Sequence, residues 1–135
     1  MPFVNVKYVR QQVNQEQKEL LIAGVMDIIV KRMGRNPDTT VITIDEIDSS
    51  NWIIGGKSVD SSVHDKVCSI EIRISKGTSN AVEMANVIEA GKEMVKRVLG
   101  SNDVTNYFII TELNPDSWGF DGIPMTIRNT MEQNK

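Results

Sequence analysis

One spacing constrains this chain more than any other feature. Trp52 and Trp118 stand 66 residues apart, and so do Asn14 and Asn80, Gly34 and Gly100, Asn36 and Asn102, Ile44 and Ile110, Glu46 and Glu112, and Gly56 and Gly122. No gap is needed between any of these anchors. The apolar positions keep the same step, since Val4, Val6 and Tyr8 fall on Ile70, Ile72 and Ile74. A chain that repeats caps, helix terminators and aromatics at one period is built from two copies of one supersecondary unit.

The unit reads as β-α-β. Val4, Val6 and Tyr8 alternate with Asn5 and Lys7, which predicts a half-buried strand over about residues 3–9. Asn14 stands as a helix N-cap with Gln17 at the capping-box distance. Leu21, Val25, Ile28 and Ile29 then form a helical stripe that runs to Met33. Gly34 ends the helix and Pro37 follows as a stop. Val41 to Ile47 is rich in β-branched residues and predicts the next strand. Asn51-Trp52-Ile53-Ile54-Gly55-Gly56 reads as a short glycine-bearing hairpin. In the second copy a helix over about 79–99 puts Val87, Met94, Val95 and Val98 on one face. A linker over roughly 57–66 joins the copies.

Two right-handed crossovers place both helices on one face of a four-stranded mixed sheet. The expected class is therefore α+β, one domain over residues 1–135 made of two β-α-β repeats, about 1–62 and 63–135. The other face carries Asn5 and Lys7 from one unit and Glu71 and Arg73 from the other, expected to pair by charge. Such a face either meets water or closes around a polar centre with copies of the chain.

Composition narrows the class. The chain is 40% hydrophobic and 24% charged, as a soluble globular domain is. A net charge of −3 argues against non-specific nucleic-acid binding. A single cysteine, Cys68, allows no internal disulfide and points to a reducing compartment. The N-terminus lacks an apolar signal core, and no apolar run approaches the ~18 residues of a membrane span. The expected location is cytoplasmic, with neither membrane nor nucleic acid as a partner.

The chemistry points to the first residues. If Met1 is removed, Pro2 becomes a secondary amine at the head of a strand. A free α-amine has a pKa of about 7.7–8.0, and burial or a nearby cation lowers it. That makes a general base poised near neutral pH. The repeat sets Cys68 opposite Pro2, but the chain is continuous there and offers no terminal amine. Cys68 reads as a small buried strand residue. His64, the only histidine, falls in the linker and reads as a surface residue. No Cys/His cluster offers a soft-ligand metal site. Gly55-Gly56 follows a strand but precedes no helix, so it is a weak phosphate-loop signal. Asp45 and Glu46 are adjacent on a strand and point to opposite faces. Lys31, Arg32, Lys96 and Arg97 suit helix C-termini. The tryptophans also fit simple packing at an oligomer interface.

Met1-Pro2 before a strand, Glu16-Gln17-Lys18 opening the helix, Ile44-Asp45-Glu46-Ile47, and Asn51 through Gly56 together resemble 4-oxalocrotonate tautomerase and its small relatives over residues 2–58. The second half resembles the same unit more weakly. The whole chain is similar to fused members of the tautomerase superfamily. Asp116-Ser117-Trp118-Gly119-Phe120 is similar to the Trp-and-Phe wall of malonate semialdehyde decarboxylase, and Ile74 through Ser79 falls where that enzyme carries two arginines.

The resemblance implies the tautomerase fold assembled as a homotrimer, with Pro2 as the base and no cofactor or metal. It implies an aromatic wall from Trp52 in one unit and from Trp118 and Phe120 in the other, the latter two facing Pro2. The departures lie in the cations. Val13 and Val41 stand where the small tautomerases have arginines, and the decarboxylase pair is matched only by Lys76, with Thr78 second. A lysine is a point charge and cannot grip a carboxylate bidentately. The expected function is keto–enol proton transfer on a small unsaturated 2-oxo or 2-hydroxy acid, with Lys76 or Arg10 steadying the developing oxyanion or the carboxylate. Two alternatives stay open: proline-dependent decarboxylation or dehalogenation of a small 3-oxo or haloacrylic acid, and a non-catalytic trimeric scaffold.

Overall fold

A computed structural model describes residues 2–61, 64 and 66–133. In chain order its elements are β1 (Phe3–Val9), α1 (Gln15–Asp27), β2 (Val41–Ile47), the short strands β3 (Ile53–Ile54) and β4 (Lys57–Ser58), β5 (Cys68–Ser75), α2 (Ala81–Leu99), β6 (Tyr107–Leu113), the short strands β7 (Gly119–Phe120) and β8 (Ile123–Pro124), and α3 (Met125–Gln133). The main sheet has four strands in the order β2-β1-β5-β6. It is mixed: β1 runs parallel to β2, β5 runs parallel to β6, and the central pair β1–β5 is antiparallel.

The 66-residue step is written into the register. Phe3 pairs with Val41 in the first unit, and Ser69 pairs with Tyr107 in the second. Both parallel pairs are thus offset by the same 38 residues. Across the central antiparallel pair, Asn5 lies opposite Glu71, its own counterpart in the repeat. A local twofold axis therefore passes through the Asn5–Glu71 pair. The small hairpins obey the same step. β3–β4 turns through Gly55 and Gly56 at φ +59° and +81°, and β7–β8 turns through Asp121 and Gly122 at φ +54° and +72°. A two-residue hairpin loop of this type needs positive φ at both positions.

The core follows the alternation. Val4, Val6 and Tyr8 of β1, with Cys68, Ile70, Ile72 and Ile74 of β5, are buried against Leu21, Val25, Ile29, Val87 and Met94 of the helical layer. Helix entry is set by caps: Asn14 and Gln17 form a reciprocal capping box, and Asn80 accepts from the Glu83 amide at 2.9 Å. Gly100 ends α2 in the left-handed conformation at φ +71°.

Four details depart from the sequence reading. The first helix does not run regularly to Met33: after Asp27 it widens into a π turn over Ile28–Arg32. The adjacent Ile28 and Ile29 are both buried there, which a wider turn accommodates. Part of the stretch read as linker is structured, because Lys57–Ser58 closes the first hairpin and Val59 packs with Val9, Val67 and Trp52. A C-terminal helix, α3, had no signal in the repeat. Finally, the four polar residues of the free face do not pair across the units. Asn5 donates to Thr43 Oγ1 at 2.9 Å and to Asp45 at 3.1 Å, while Glu71 takes Arg73 at 3.3 Å and the Thr111 hydroxyl at 2.6 Å. The register explains this, since Lys7 opposes Ser69 and Phe3 opposes Arg73, so no opposite charges face each other across the ladder.

Candidate active site

Pro2 is buried immediately before β1, and its carbonyl accepts from the Val41 amide at 3.4 Å. Phe3 opposes Arg73, so continuing that ladder by one residue sets Pro2 opposite Ile74. The next residues of β5's exit are Ser75 and Lys76. The Lys76 amide donates to the Leu113 carbonyl at 2.8 Å, which ties the ends of β5 and β6 together. The indole Nε1–H of Trp118 donates to the Ser75 hydroxyl at 3.0 Å, and Ser75 is only 6% exposed. The Trp118 carbonyl in turn accepts from the Met125 amide at 2.8 Å and anchors the start of α3. Phe120, two residues beyond Trp118, lies under the Arg128 guanidinium, 4.0 Å from the ring centroid. Pro2, Lys76 and Trp118 thus share one end of the sheet, with the Phe120 hairpin attached there.

A further cation at this end carries no sequence signal. Arg35, in the turn before β2, donates through Nη2 to the Thr78 carbonyl at 3.0 Å and to its hydroxyl at 3.1 Å. The contact spans the two units, so no local motif announces it.

The opposite end holds the counterparts: Cys68 for Pro2, Arg10 for Lys76, Trp52 for Trp118 and Ile54 for Phe120. Arg10 lies eight residues beyond Pro2, about 26 Å along an extended strand. It pairs with Asp48 at 2.8 Å. The Ser50 hydroxyl, then Gln11 and the Ser50 amide, hold the Asp48 carboxyl down to about 2. Trp52 packs against Val9, Val59 and Val67. Within one chain, then, Arg10, expected from sequence as a cation for Pro2's reaction, stands at the Cys68 end, together with Trp52, the aromatic expected of the first unit. Strand length separates them from Pro2. An open hollow of about 580 Å³ lies there, lined by Lys7, Trp52, Ile54, Ser69 and Tyr107 among others. Burial pushes the Cys68 thiol up to about 12, so at neutral pH it is no nucleophile. His64 is not a loose surface residue, because its Nδ1 lies 2.8 Å from the Asp103 carboxylate.

The tautomerase enzyme family model matches residues 2–61. Probable tautomerase K2 of Dickeya dadantii is 52% identical over 59 residues, covering 44% of this chain and 88% of that protein. This chain belongs to the tautomerase family. A second relative in that family, a probable tautomerase of Helicobacter pylori, is 46% identical over 61 residues, which cover 44% of this chain and 90% of the relative. Among solved structures, native fused 4-OT superposes on this tautomerase-family chain with a TM-score of 0.85 at 16% identity, covering 94% of this chain and 98% of that one. A fused 4-OT described as a symmetric trimer, Q0, gives 0.80 at 16% identity over 92% and 96%. FG41 malonate semialdehyde decarboxylase inhibited by 3-bromopropiolate gives 0.74 at 17% identity over 95% and 96%. At these identities the structural likeness establishes the fold: two helices on a four-stranded mixed sheet. Among the described residues of this tautomerase-family chain, no helix is long and apolar enough to cross a membrane.

Proposed function

We propose that this chain is a cofactor-independent tautomerase. Pro2, freed by removal of Met1, takes the proton of an enol hydroxyl, or one from carbon beside a carbonyl, and returns it elsewhere on the conjugated system of a small 2-oxo or 2-hydroxy acid. The observation that carries this reading is the position of Pro2: buried, at the head of β1, at the sheet end that also holds Lys76 and the Trp118 hairpin. A buried secondary amine near a cation keeps its neutral, basic form at neutral pH. Lys76 follows two residues after Ile74, Pro2's ladder partner, and is suited to steady oxygen charge. Trp118 and Phe120 would keep water from the reacting carbon.

The same reading takes the chain as one domain of two repeats, with one working site per chain, at Pro2 and not at Cys68. It assembles the chain as a homotrimer. The sheet's free face leaves Val41, Tyr107 and Ile109 exposed on the two edge strands, which unprotected edges do not tolerate. The neighbours described as trimers have the same fold.

Ketonisation of phenylenolpyruvate and of 2-hydroxymuconate, followed by ultraviolet absorbance with Pro2→Ala as control, tests the reading. Activity in the parent chain that Pro2→Ala loses is expected. Full activity in Pro2→Ala, or in protein whose intact mass retains Met1, would remove Pro2 from the role of base. Labelling with 3-bromopropiolate is expected at Pro2, and inactivation through Cys68 instead would move the chemistry to the second unit.

A further inference from the structure

We propose that Arg128 binds the carboxylate of the acid on which Pro2 acts; this deepens the tautomerase reading and rests on it. Three observations converge on the residue. Arg128 lies in the first half of α3, with its guanidinium carbon 4.0 Å from the Phe120 ring centroid and its side chain 18% exposed. The stack holds the planar fork in one orientation before any ligand arrives. That fork is underused by the protein. Nη2 makes only long contacts, 3.4 Å to the Phe120 carbonyl and 3.5 Å to Asp121, whose carboxylate is 85% exposed, and Nε is buried with no partner. A guanidinium carries five N–H donors and suits a carboxylate bidentately.

The position is specific to the end that holds Pro2. Arg128 stacks on the hairpin whose base, Trp118, is bonded to Ser75, one residue beyond Pro2's ladder partner. The Trp118 carbonyl also accepts from the Met125 amide that begins α3, which ties the helix to the hairpin. In the first unit the corresponding residue is Ser62, which carries no charge. The fork therefore has no charged counterpart at the matching position of the first repeat. Arg10 and Arg35 are engaged more firmly, Arg10 with Asp48 at 2.8 Å and Arg35 with Thr78 at 3.0 Å and 3.1 Å, and Arg73 is held by Glu71 at 3.3 Å on the sheet's free face. Lys76 supplies charge but no fork.

The test is binding, which needs no turnover. Cinnamate and the neutral cinnamamide are titrated calorimetrically into the full chain and into Arg128→Gln and Arg128→Lys, after thermal melts establish that each variant is folded. Arg128→Gln is expected to weaken cinnamate roughly 10- to 100-fold and to leave cinnamamide unchanged, with Arg128→Lys recovering part of the loss. Equal cinnamate affinity in the parent chain and in Arg128→Gln overturns the proposal. So does a parent chain that fails to prefer cinnamate to cinnamamide, or a variant that loses both ligands together, which would give Arg128 a structural role. Failure of the tautomerase reading shows elsewhere, as activity that survives Pro2→Ala, and leaves these affinities unaffected.

Discussion

The Trp118 indole donates to the Ser75 hydroxyl at 3.0 Å, across 43 residues of sequence. That bond fastens the second hairpin, and through it α3, to the strand end beside Pro2. Ser75→Ala would leave an indole N–H without its acceptor in a part-buried place. A loss of about 1–3 kcal/mol in urea denaturation is expected, together with a raised KM for enol substrates. A variant as stable as the parent would mean that packing alone holds the hairpin.

The acid limb of the pH–rate profile reports the base. Burial and a neighbouring cation both favour neutral proline, so kcat/KM is expected to fall as pH drops through a pKa below the ordinary terminal-amine value of about 7.7–8.0. Activity that is instead lost as pH rises would assign Pro2 the role of acid, the behaviour a decarboxylase or dehalogenase requires.

Two helix glycines separate backbone preference from packing. A Cβ on Gly91 would stand 2.1 Å from Cδ2 of the Phe108 ring, while one on Gly24 would meet the Met94 side chain at 2.4 Å. An aromatic ring wedged between α2 and β6 has little room to turn, whereas an unbranched methionine can choose another rotamer. Gly91→Ala is expected to cost about 1–3 kcal/mol. Gly24→Ala is expected to cost less, because the gain in helix propensity of up to ~1 kcal/mol offsets part of the strain. Denaturation curves compare the two, and a larger loss for Gly24→Ala would contradict this account.

Cys68 makes stability fall in alkali. Its folded thiol holds the proton to about 12, while the unfolded thiol releases it near the ordinary value of 9.0. The stability present below pH 9 is therefore lost progressively as pH rises toward 12, because the unfolded state binds fewer protons there. Tyr8, pushed up to about 12 mainly by burial and also by Glu46, adds to the loss in the same direction. Cys68→Val removes the thiol and, of the causes of the tyrosine effect, only the smallest, so its stability should fall less steeply above pH 9. Parallel curves for the two proteins would mean that the thiol is not protected by the fold.

Much of the architecture was legible because it depends on local and periodic signals. The Asn14–Gln17 box, the glycine stop at Gly100 and the alternation of β1 act within a few residues, and the 66-residue step carried them to the second unit. The opposite orientations of Asp45 and Glu46 were also readable: Asp45 reaches Asn5 on the free face, and Glu46 takes Lys18 from α1. What was not legible depends on contacts far apart in sequence. Arg35 meets Thr78 across the two units, and Trp118 meets Ser75 only once the second hairpin has folded back onto the end of β5. Arg128 carries no local signal, because α3 has no expected counterpart in the repeat and its stacking partner Phe120 meets it only through the folded hairpin.

The axis through Asn5 and Glu71 has a chemical meaning for a chain of this kind. Where two separate copies of one short polypeptide meet about such an axis, a residue on it must be its own partner, and a glutamate would confront a glutamate. Joining the copies end to end lifts that obligation. Asn5 can stay neutral while Glu71 draws in Arg73 and Thr111. The same freedom lets the first repeat carry Pro2 and Ser62 at the sequence positions where the second carries Cys68 and Arg128. Covalent continuity here lets one half of a symmetric scaffold specialise while the other supports it.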